Sequence, residues 1–304
     1  MKKKDSRIIR IAITRLPGLY TRMAPLWRKV NKGLLARIQF FFLFKKYDKQ
    51  KKMMEGKEDP LWSAIEIETI NRCNGTCPFC PVNRNVDPRK PVFMKDELFY
   101  KIINELGELH YDGILSLFSN NEPYLDERII GFMKYAKEKV PLAHLNVYTN
   151  GKLLTMDKYL GSIRYLDELY IDNYDDHGIL SDNVRRIKEY CDRHPEAYDK
   201  TIIAYRRLNE VLTTRGGSSP NKKTEKKQTL PCILPFCQMV IRPDGKLSLC
   251  CNDALGKVTM GDANEDSLIN IWNSRKYKKV RSILRKDRSR LKICRYCDTV
   301  TTTK

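Results

Sequence analysis

The chain has 304 residues, of which 41% are hydrophobic and 31% are charged, and its mean hydropathy is −0.53. These values exclude a wholly disordered chain and a protein with many membrane spans. The 57 basic and 37 acidic residues give a formal net charge of +20. Residues 1–60 hold 17 of the basic residues and 5 of the acidic ones, so the excess charge belongs mainly to an N-terminal extension.

Residues 1–60 form a basic extension in which the apolar residues between positions 30 and 42 recur at helical spacing. The apolar run 38–44 is far shorter than the roughly 20 residues that a membrane-spanning helix needs. We therefore expect an amphipathic helix that packs on the rest of the protein and leaves a basic face in solvent. A peripheral contact with an anionic membrane face is the alternative.

Short apolar runs alternate with longer amphipathic stretches between residues 61 and 214. The runs predict strands at 64–70, 113–118, 145–148, 168–172 and 201–205, and the stretches predict helices at 95–109, 126–140, 156–163 and 183–193. This alternation predicts an α/β fold with a parallel sheet and helices outside it, either open or closed into a barrel. In such sheets the functional residues lie just beyond the carboxyl ends of the strands.

Residues 215–230 have the composition of a linker, because Gly-Gly-Ser-Ser-Pro precedes a lysine-rich polar run. This segment separates the predicted core domain, residues 61–214, from a cysteine-rich tail, residues 231–304. Within the tail, Pro243-Asp244-Gly245 predicts a hairpin and the basic stretch from about 273 to 286 predicts a helix.

The ten cysteines fall into groups at 73, 77 and 80, at 232, 237, 250 and 251, and at 294 and 297, with Cys191 apart. Such grouping indicates metal binding. A disulfide framework is the alternative, but frameworks of that kind usually belong to small secreted domains with a signal peptide, which the start of this chain does not predict. We therefore expect a reducing, cytoplasmic location.

Cys73, Cys77 and Cys80 form a C-x3-C-x2-C motif directly after the first predicted strand. Three thiolates on one loop can hold three irons of a [4Fe-4S] cluster and leave the fourth iron without a protein ligand. Zinc is the alternative occupant, although zinc normally takes four ligands, usually as a C-x2-C pair with a distant partner pair.

This motif, with the aromatic Phe79 before its third cysteine, resembles the signature of radical S-adenosylmethionine (SAM) enzymes. The resemblance implies a partial (β/α)6 TIM-like barrel in which the three cysteines hold a [4Fe-4S] cluster, and a fourth iron that binds the amino and carboxylate groups of SAM. It also implies cleavage of SAM to a 5′-deoxyadenosyl radical, which removes hydrogen from an unactivated C–H bond. The protein would position the cofactor and shield the radical.

Two further segments resemble elements of that family that lie near SAM. In Ser119-Asn120-Asn121-Glu122-Pro123 the last two residues match a Gly-Gly-Glu-like segment that contacts the methionine ammonium, and two asparagines replace its glycines. Thr149-Asn150-Gly151 resembles a Thr-Asn-Gly element, with an ordinary turn as the alternative. The resemblance thus implies that SAM is contacted by Phe79, Asn121, Glu122, Asn150 and Gly151.

The tail contains a G-x4-C element ending at Cys250, then Gly261-Asp262, then Ile271-Trp272-Asn273-Ser274, and a final C-x2-C motif. These features resemble the C-terminal SPASM and twitch extensions of radical SAM enzymes, which carry auxiliary iron–sulfur clusters. The resemblance implies a twitch-like form with one auxiliary [4Fe-4S] cluster, whose ligands would be Cys232, Cys250, Cys294 and Cys297.

Other ligand sets for the tail stay open at this point. Cys237 is the alternative to Cys232, because the two stand at a C-x4-C spacing. A zinc site at Cys250, Cys251, Cys294 and Cys297 is the alternative to a cluster, although adjacent cysteines make a poor first pair. Cys191 lies on a predicted helix and is most simply a buried apolar residue.

A fully ligated auxiliary cluster cannot bind substrate at iron, so its natural role is electron transfer. A substrate radical beside an alcohol carbon becomes a ketone when it loses a proton and an electron, and the cluster can accept that electron. The resemblance to twitch-containing dehydrogenases therefore predicts an oxidoreductase acting on a small molecule, namely a sugar, an aminocyclitol or a related polyol. A protein such as flavodoxin or ferredoxin would be the reductant.

Three alternatives to a dehydrogenase remain. A radical SAM enzyme can instead modify or epimerise a peptide. The basic stretch 275–292 suggests a second alternative, an iron–sulfur or zinc protein that binds nucleic acid. A basic helix without interleaved aromatics is more often a solvated face, so we do not expect a nucleic-acid partner. A non-enzymatic iron–sulfur or zinc scaffold is the third alternative.

Several polar residues lie at or near the predicted carboxyl ends of strands. They are Asp172, Asp175, Asp176, His177 and Arg206, with Arg215 farther along the chain. These residues can hold hydroxyls or a phosphate, or they can simply be solvated in loops, and the sequence assigns a catalytic role to none of them.

Overall fold

The computed structural model describes residue 54 and residues 61–299. The amphipathic helix predicted for the extension lies outside these residues, except that Met54 is buried and its carbonyl accepts a 2.7 Å hydrogen bond from Arg285 Nε. No helix within the described part of the chain is long and apolar enough to cross a membrane.

One sheet of eight strands runs through the described chain, in the order β5-β4-β3-β2-β1-β6-β7-β8. The strands are β1 (Ala64–Ile67), β2 (Ile114–Ser116), β3 (His144–Thr149), β4 (Glu168–Tyr174), β5 (Thr201–Arg206), β6 (Gln238–Ile241), β7 (Lys246–Ser248) and β8 (Thr259–Asp262). β1 to β6 pair in parallel, whereas β7 and β8 continue the sheet antiparallel. The predicted α/β class with a parallel sheet is confirmed.

Helices connect the parallel strands. They are α1 (Asp96–Glu108), α2 (Ile129–Lys139), α3 (Met156–Ile163), α4 (Asp182–Cys191) and α5 (Pro195–Lys200), followed in the tail by α6 (Leu234–Cys237), α7 (Leu268–Trp272) and α8 (Arg275–Lys286). α1 shows why these segments are helical: Leu98, Ile102 and Leu106 are buried at every fourth position, and one face therefore packs on the sheet while the other faces solvent.

Several predicted elements are shorter than the sequence pattern indicates, and two of them show why. The predicted helix 126–140 begins at Ile129, because Pro123 starts a short 3-10 turn and Asp126 is extended, with its carboxylate accepting from the backbone N–H of Arg128. The predicted strand 64–70 ends at Ile67. After one further hydrogen bond from Glu68 the chain turns out of the parallel sheet, and Ile70 forms an isolated antiparallel bridge with Phe93.

The sixth parallel strand comes from the tail. β6 lies beside β1 with Ala64 opposite Gln238, and the ladder is extended at both ends by hydrogen bonds from Ser63 N to Cys237 O and from Glu68 N to Ile241 O, each 2.9 Å. The residues 61–214 therefore supply five parallel strands, and the tail completes the sheet on the other side of β1.

The predicted hairpin at Pro243-Asp244-Gly245 is confirmed, since it joins β6 and β7. Gly245 has φ +83°, and a Cβ there would lie 2.1 Å from Asn264 Nδ2, so the turn needs glycine.

The segment with linker composition, residues 215–230, packs against both neighbours. Ser219 is fully buried and its hydroxyl donates to the carbonyl of Phe79, 3.3 Å away. Gln228 N donates to Arg295 O at 3.0 Å, and Lys222 pairs with Asp298 at 2.7 Å.

Candidate active site

A cavity of about 300 Å³ opens at the carboxyl ends of the parallel strands. Its walls come from the loops that follow β1, β2 and β3, from the ends of β4 and β5, and from the segment just after β5. The lining includes all three cysteines of the C-x3-C-x2-C motif and the other predicted cofactor contacts apart from Gly151: Cys73, Cys77, Cys80, Phe79, Asn121, Glu122 and Asn150. These candidate residues therefore lie beyond the carboxyl ends of the strands.

The cysteine motif folds into a compact loop. Cys80 N donates to Cys77 O, and the side-chain amide of Asn83 donates to the carbonyls of both these cysteines, at 3.1 and 3.0 Å. Gly75 N donates to the Cys73 sulfur at 3.2 Å, and a Cβ on Gly75 would lie 3.2 Å from that sulfur. The backbone is therefore arranged around the thiols and closely approaches one of them.

Burial raises the pKa of Cys73 to about 12 and the pKa of Cys77 to about 11. The bare thiols are thus protonated at neutral pH, and iron coordination would reverse this, since a coordinating thiol is deprotonated outright. Within the described residues, no three His, Cys, Asp or Glu side chains converge closely enough to share one metal ion. Three thiolates on one loop suit a [4Fe-4S] cluster, in which each thiolate binds a different iron, whereas zinc normally takes four ligands.

Glu122 is almost completely buried beside the cavity. Its carboxylate accepts hydrogen bonds from the Thr149 hydroxyl at 2.7 Å, from Asn150 N at 2.9 Å and from Tyr124 N at 3.2 Å. Burial nevertheless raises the pKa of Glu122 to about 7. A positively charged ligand group in the cavity would restore the ionised carboxylate, so this residue fits an ammonium partner.

The Asn150 side chain turns toward the cysteine loop. Its Nδ2 donates to Asn74 Oδ1 at 2.7 Å and lies 3.9 Å from the Cys73 sulfur. Gly151 has φ +74°, and its N–H donates to the Thr149 hydroxyl that also holds Glu122. Thr149-Asn150-Gly151 is thus an ordinary turn, and the same turn holds Glu122 at the cavity.

Asn121 and Phe79 complete the predicted cofactor contacts. Asn121 Oδ1 accepts from Ser119 N at 3.1 Å, whereas its buried Nδ2 has no hydrogen-bond partner in the described chain. An orphaned buried donor at a cavity wall fits a bound ligand that accepts from it. The Phe79 ring packs against Tyr174 with its centroid 5.8 Å away.

Of the polar residues near strand ends, Asp172, Arg206 and Arg215 line the cavity, and Asp175, Asp176 and His177 do not. The Asp175 carboxylate instead accepts from His177 N at 2.9 Å, which closes a local turn. Arg206 pairs with Asp172 at 3.4 Å and with Glu210.

The tail cysteines form a second group. Cys232, Cys250, Cys294 and Cys297 are all buried. Burial raises the pKa of Cys250 well above its usual value, and the neighbouring thiols of Cys251, Cys232, Cys297 and Cys294 raise it further. Cys237 lies apart from them, beside Tyr111 and with its sulfur directed to the Ile233 carbonyl. The structure therefore places Cys232, and not Cys237, near Cys250, Cys294 and Cys297, and it places Cys251 there as well.

The two remaining cysteines are Cys251, which lies against the tail group, and Cys191, which lies apart from both groups. Cys251 stands next to Cys250 but its backbone is engaged on both sides, since its N–H donates to Gln238 and its carbonyl accepts from Asn120 Nδ2, each at 3.1 Å. Cys191 is buried in contact with the Tyr159 hydroxyl, 3.1 Å away. All ten cysteines lie within the described residues, and none of them forms a disulfide.

Comparison with known families matches residues 67–214 to the radical SAM superfamily and residues 232–298 to SPASM, an iron–sulfur cluster-binding domain. The chain belongs to the radical SAM superfamily. As a radical SAM protein with a SPASM domain, it uses a [4Fe-4S] cluster with SAM and carries an auxiliary iron–sulfur centre, as the sequence predicted.

The relatives of this radical SAM chain include a dehydrogenase. A stretch of 247 residues is 28% identical to the S-adenosyl-L-methionine-dependent 2-deoxy-scyllo-inosamine dehydrogenase of Niallia circulans, over 80% of this chain and 95% of that protein. The crystal structure of BtrN in complex with AdoMet and 2-DOIA has a TM-score of 0.69 at 24% identity, over 81% of this chain and 97% of BtrN. The structure of BtrN in an open conformation has a TM-score of 0.59 at 21% identity, over 80% of this chain and 95% of BtrN. Both structures have the same fold as this chain.

Sequence reasoning missed two buried carboxylates, Glu66 on β1 and Glu68 directly after it. The Glu66 carboxylate accepts from Ser119 Oγ at 2.5 Å and from Gln238 Nε2 at 2.9 Å, and Glu68 accepts from Asn120 N at 2.7 Å. Burial raises the pKa of Glu68 to about 7. Two acids separated by one residue in an otherwise apolar strand share one face, and this alternation was the available signal.

Sequence reasoning also missed Arg288, which follows α8 and is fully buried beside the tail cysteines. It donates to the carbonyls of Cys297 at 2.9 Å, Thr299 at 3.1 Å and Leu230 at 3.3 Å. Its charge opposes the larger effect of burial on the pKa of Cys232 and Cys294. No local pattern distinguished this arginine from the basic residues around it.

Proposed function

We propose that this radical SAM protein is a dehydrogenase that oxidises one hydroxyl of an aminocyclitol, sugar or related polyol to a ketone. The observation that carries the proposal is the position of the closed four-cysteine group: Asn120 lines the cavity and its side chain bonds the carbonyl of Cys251, next to Cys250. The centre that these cysteines would hold therefore lies close to the cavity wall, where it would serve as an electron acceptor. The name of the Niallia circulans relative, a dehydrogenase of an aminocyclitol, supports the same reaction.

We assign the radical SAM cluster to Cys73, Cys77 and Cys80, and the auxiliary cluster to Cys232, Cys250, Cys294 and Cys297. For SAM, Glu122 offers a buried carboxylate to an ammonium group and Asn121 offers an unpartnered N–H. Phe79, Asn150 and Gly151 complete the contacts by forming the wall and the turn around them.

When bound, the cluster and SAM supply abstraction of a hydrogen atom from a C–H bond. The chain's residues then bind and enclose the polyol. Tyr174 and the stacked pair Phe118 and Tyr148 give the cavity apolar walls that exclude water. Asp172 and Arg206 present an acceptor and donors to hydroxyl groups.

Conversion of an alcohol to a ketone removes two hydrogen atoms in total. One leaves as the abstracted hydrogen atom, and the other leaves as a proton from the hydroxyl and an electron. The four tail cysteines leave no open iron on a [4Fe-4S] cluster, so the centre they hold suits acceptance of that electron.

The proposal includes a protein reductant and a cellular location. A flavodoxin or ferredoxin would supply the first electron, and a cytoplasmic, reducing compartment would keep the cysteines available for iron. Peripheral membrane contact through residues 1–60 stays a prediction.

Anaerobic purification, with iron and sulfide measured and 5′-deoxyadenosine assayed after addition of SAM and dithionite, tests the assignment. We expect about eight irons per wild-type chain and about four in each of the Cys73→Ala and Cys294→Ala variants. Only the Cys73 variant should lose SAM cleavage. Cys191→Ala is the matched control, since that buried thiol belongs to neither group, and it should keep all the iron.

A polyol panel then tests the reaction. The wild type should convert a member of the panel to a product two mass units lighter, with one 5′-deoxyadenosine per product, and the Cys294 variant should cleave SAM without making this product. About four irons with zinc in the tail would contradict the electron-acceptor role. Modification of a peptide with no polyol oxidation would contradict the substrate class.

A further inference from the structure

Two arginines reach the cavity and differ in their charge environment. Arg206 is neutralised twice, by Asp172 at 3.4 Å and by Glu210. Arg215 also lines the cavity, but no carboxylate of the described chain pairs with it, and its hydrogen-bond partner there is the neutral Asn120 Oδ1. A partly buried guanidinium has five N–H donors, and leaving it without a counter-charge costs free energy.

The backbone holds Arg215 at this place against its local preference. Arg215 has φ +48°, a left-handed conformation that is uncommon for a residue with a Cβ. The turn is anchored by Thr214, whose N–H donates to Asp298 at 2.9 Å and whose hydroxyl donates to Tyr296 O at 3.1 Å. Strain that the surrounding contacts maintain at a cavity points to a function.

The tail therefore places the arginine in the cavity of the core. Asp298 and Tyr296 flank Cys297, one of the proposed auxiliary ligands, so the same short segment carries that ligand and fixes Arg215. Asn120 adds the second restraint. It bonds Arg215 through Oδ1 and the Cys251 carbonyl through Nδ2, and neither bond is available to a glycine at this position.

We propose that Arg215 binds an anionic group on the substrate, so that the polyol carries a phosphate or a carboxylate. A guanidinium matches the paired oxygens of either anion with two parallel hydrogen bonds, and the anion would supply the counter-charge that the described chain does not. This proposal rests on the proposed polyol dehydrogenase function and narrows its substrate class.

Calorimetric titration of the reconstituted holoenzyme with SAM, without reductant, tests the proposal by binding alone. The probes are matched pairs: myo-inositol and its 1-phosphate, glucose and glucose 6-phosphate, and glucose and glucuronate. The wild type should prefer the anionic member of at least one pair, and the phosphate and carboxylate pairs distinguish the two anions. Arg215→Gln should weaken that anion's binding by about 10- to 100-fold and leave the neutral probe unchanged.

Arg207→Gln is the matched control, because Arg207 is an exposed arginine in the same connection and does not line the cavity. It should bind the anion as the wild type does. Arg215→Lys keeps the positive charge but lacks the planar guanidinium, and it should bind the anion with intermediate affinity. This variant serves as the test if Arg215→Gln loses iron. Because turnover is not involved, this result is independent of whether a ketone is formed.

Three outcomes would overturn the proposal. The wild type would show no preference for an anion in any pair, or the Arg215 and Arg207 variants would lose the same affinity. Alternatively, Arg215→Gln would weaken SAM binding instead of probe binding, and Arg215 would then be a partner of the cofactor's carboxylate.

Discussion

At the residue scale, a buried arginine controls the charge around the tail cysteines. A cluster held by four thiolates is anionic and becomes more so on reduction, and Arg288 supplies a fixed positive charge beside Cys232 and Cys294. The neighbouring Arg290 is exposed and makes no such approach. The two arginines therefore form a natural pair for comparison.

We predict that Arg288→Gln makes the reduction potential of the auxiliary cluster more negative, by on the order of 50–100 mV, because a nearby charge is worth about 1–3 kcal/mol at an effective dielectric of about 20. A redox titration followed by electron paramagnetic resonance measures the potential. The radical SAM cluster should keep its potential, and Arg290→Gln should change neither. Equal shifts in both variants would contradict a specific role for Arg288.

At the element scale, the turn after β3 ties the sheet to the cavity. Thr149 ends β3 and bonds Glu122, and Gly151 bonds Thr149 in turn. A Cβ on Gly151 would lie 2.6 Å from Val184 and 2.8 Å from Ile171, in addition to the positive φ. Both the conformation and the space therefore require glycine, independently of any ligand.

We predict that Gly151→Ala lowers the free energy of unfolding by about 2–4 kcal/mol, from left-handed strain and overpacking together. This corresponds to a fall in Tm of about 5–10 °C, measured by circular dichroism. Gly131→Ala is the control, because Gly131 lies in α2 and a Cβ there meets nothing within 4 Å. The control should be neutral or slightly stabilising, and a similar loss in both variants would refute the strain argument.

At the scale of the whole molecule, the core and the tail share one sheet and one buried polar network. Gln238 is the centre of that network: its Nε2 donates to Glu66 at 2.9 Å and its Oε1 accepts from Cys251 N at 3.1 Å. It is buried at the start of β6, opposite Ala64 of β1. A change at Gln238 therefore acts on both halves of the protein.

We predict that Gln238→Leu destabilises the protein by about 2–4 kcal/mol, since the buried Glu66 carboxylate loses one of its hydrogen bonds and the Cys251 N–H loses its acceptor. In urea, the loss of helical ellipticity and of auxiliary-cluster absorbance should coincide and shift together, because core and tail unfold as one unit. Gln228→Leu, at a partly exposed position, should leave both transitions unchanged. Two separated transitions in the wild type would show that the tail unfolds on its own.

The features that could be predicted from the sequence are those that depend on residues close together along the chain. Cys73, Cys77 and Cys80 share one loop, and hydrophobic periodicity located most helices and strands to within a few residues. It did not predict that β6 pairs with β1, because that contact joins positions more than 170 residues apart. Arg215 was assigned to a linker from its glycine-rich composition, whereas contacts with the end of the tail hold it in the cavity. The domain limits stay predictions.

The pairing of β1 with β6 also has a consequence for biosynthesis. β1 is the first described strand to leave the ribosome, yet the edge that pairs with β6 has no partner until residue 241 has been synthesised. During that interval the nascent chain presents an open strand edge and the acidic side chains of Glu66 and Glu68, and parallel pairing over such a separation is slow. Translation rate and chaperone supply should therefore influence the yield of folded protein.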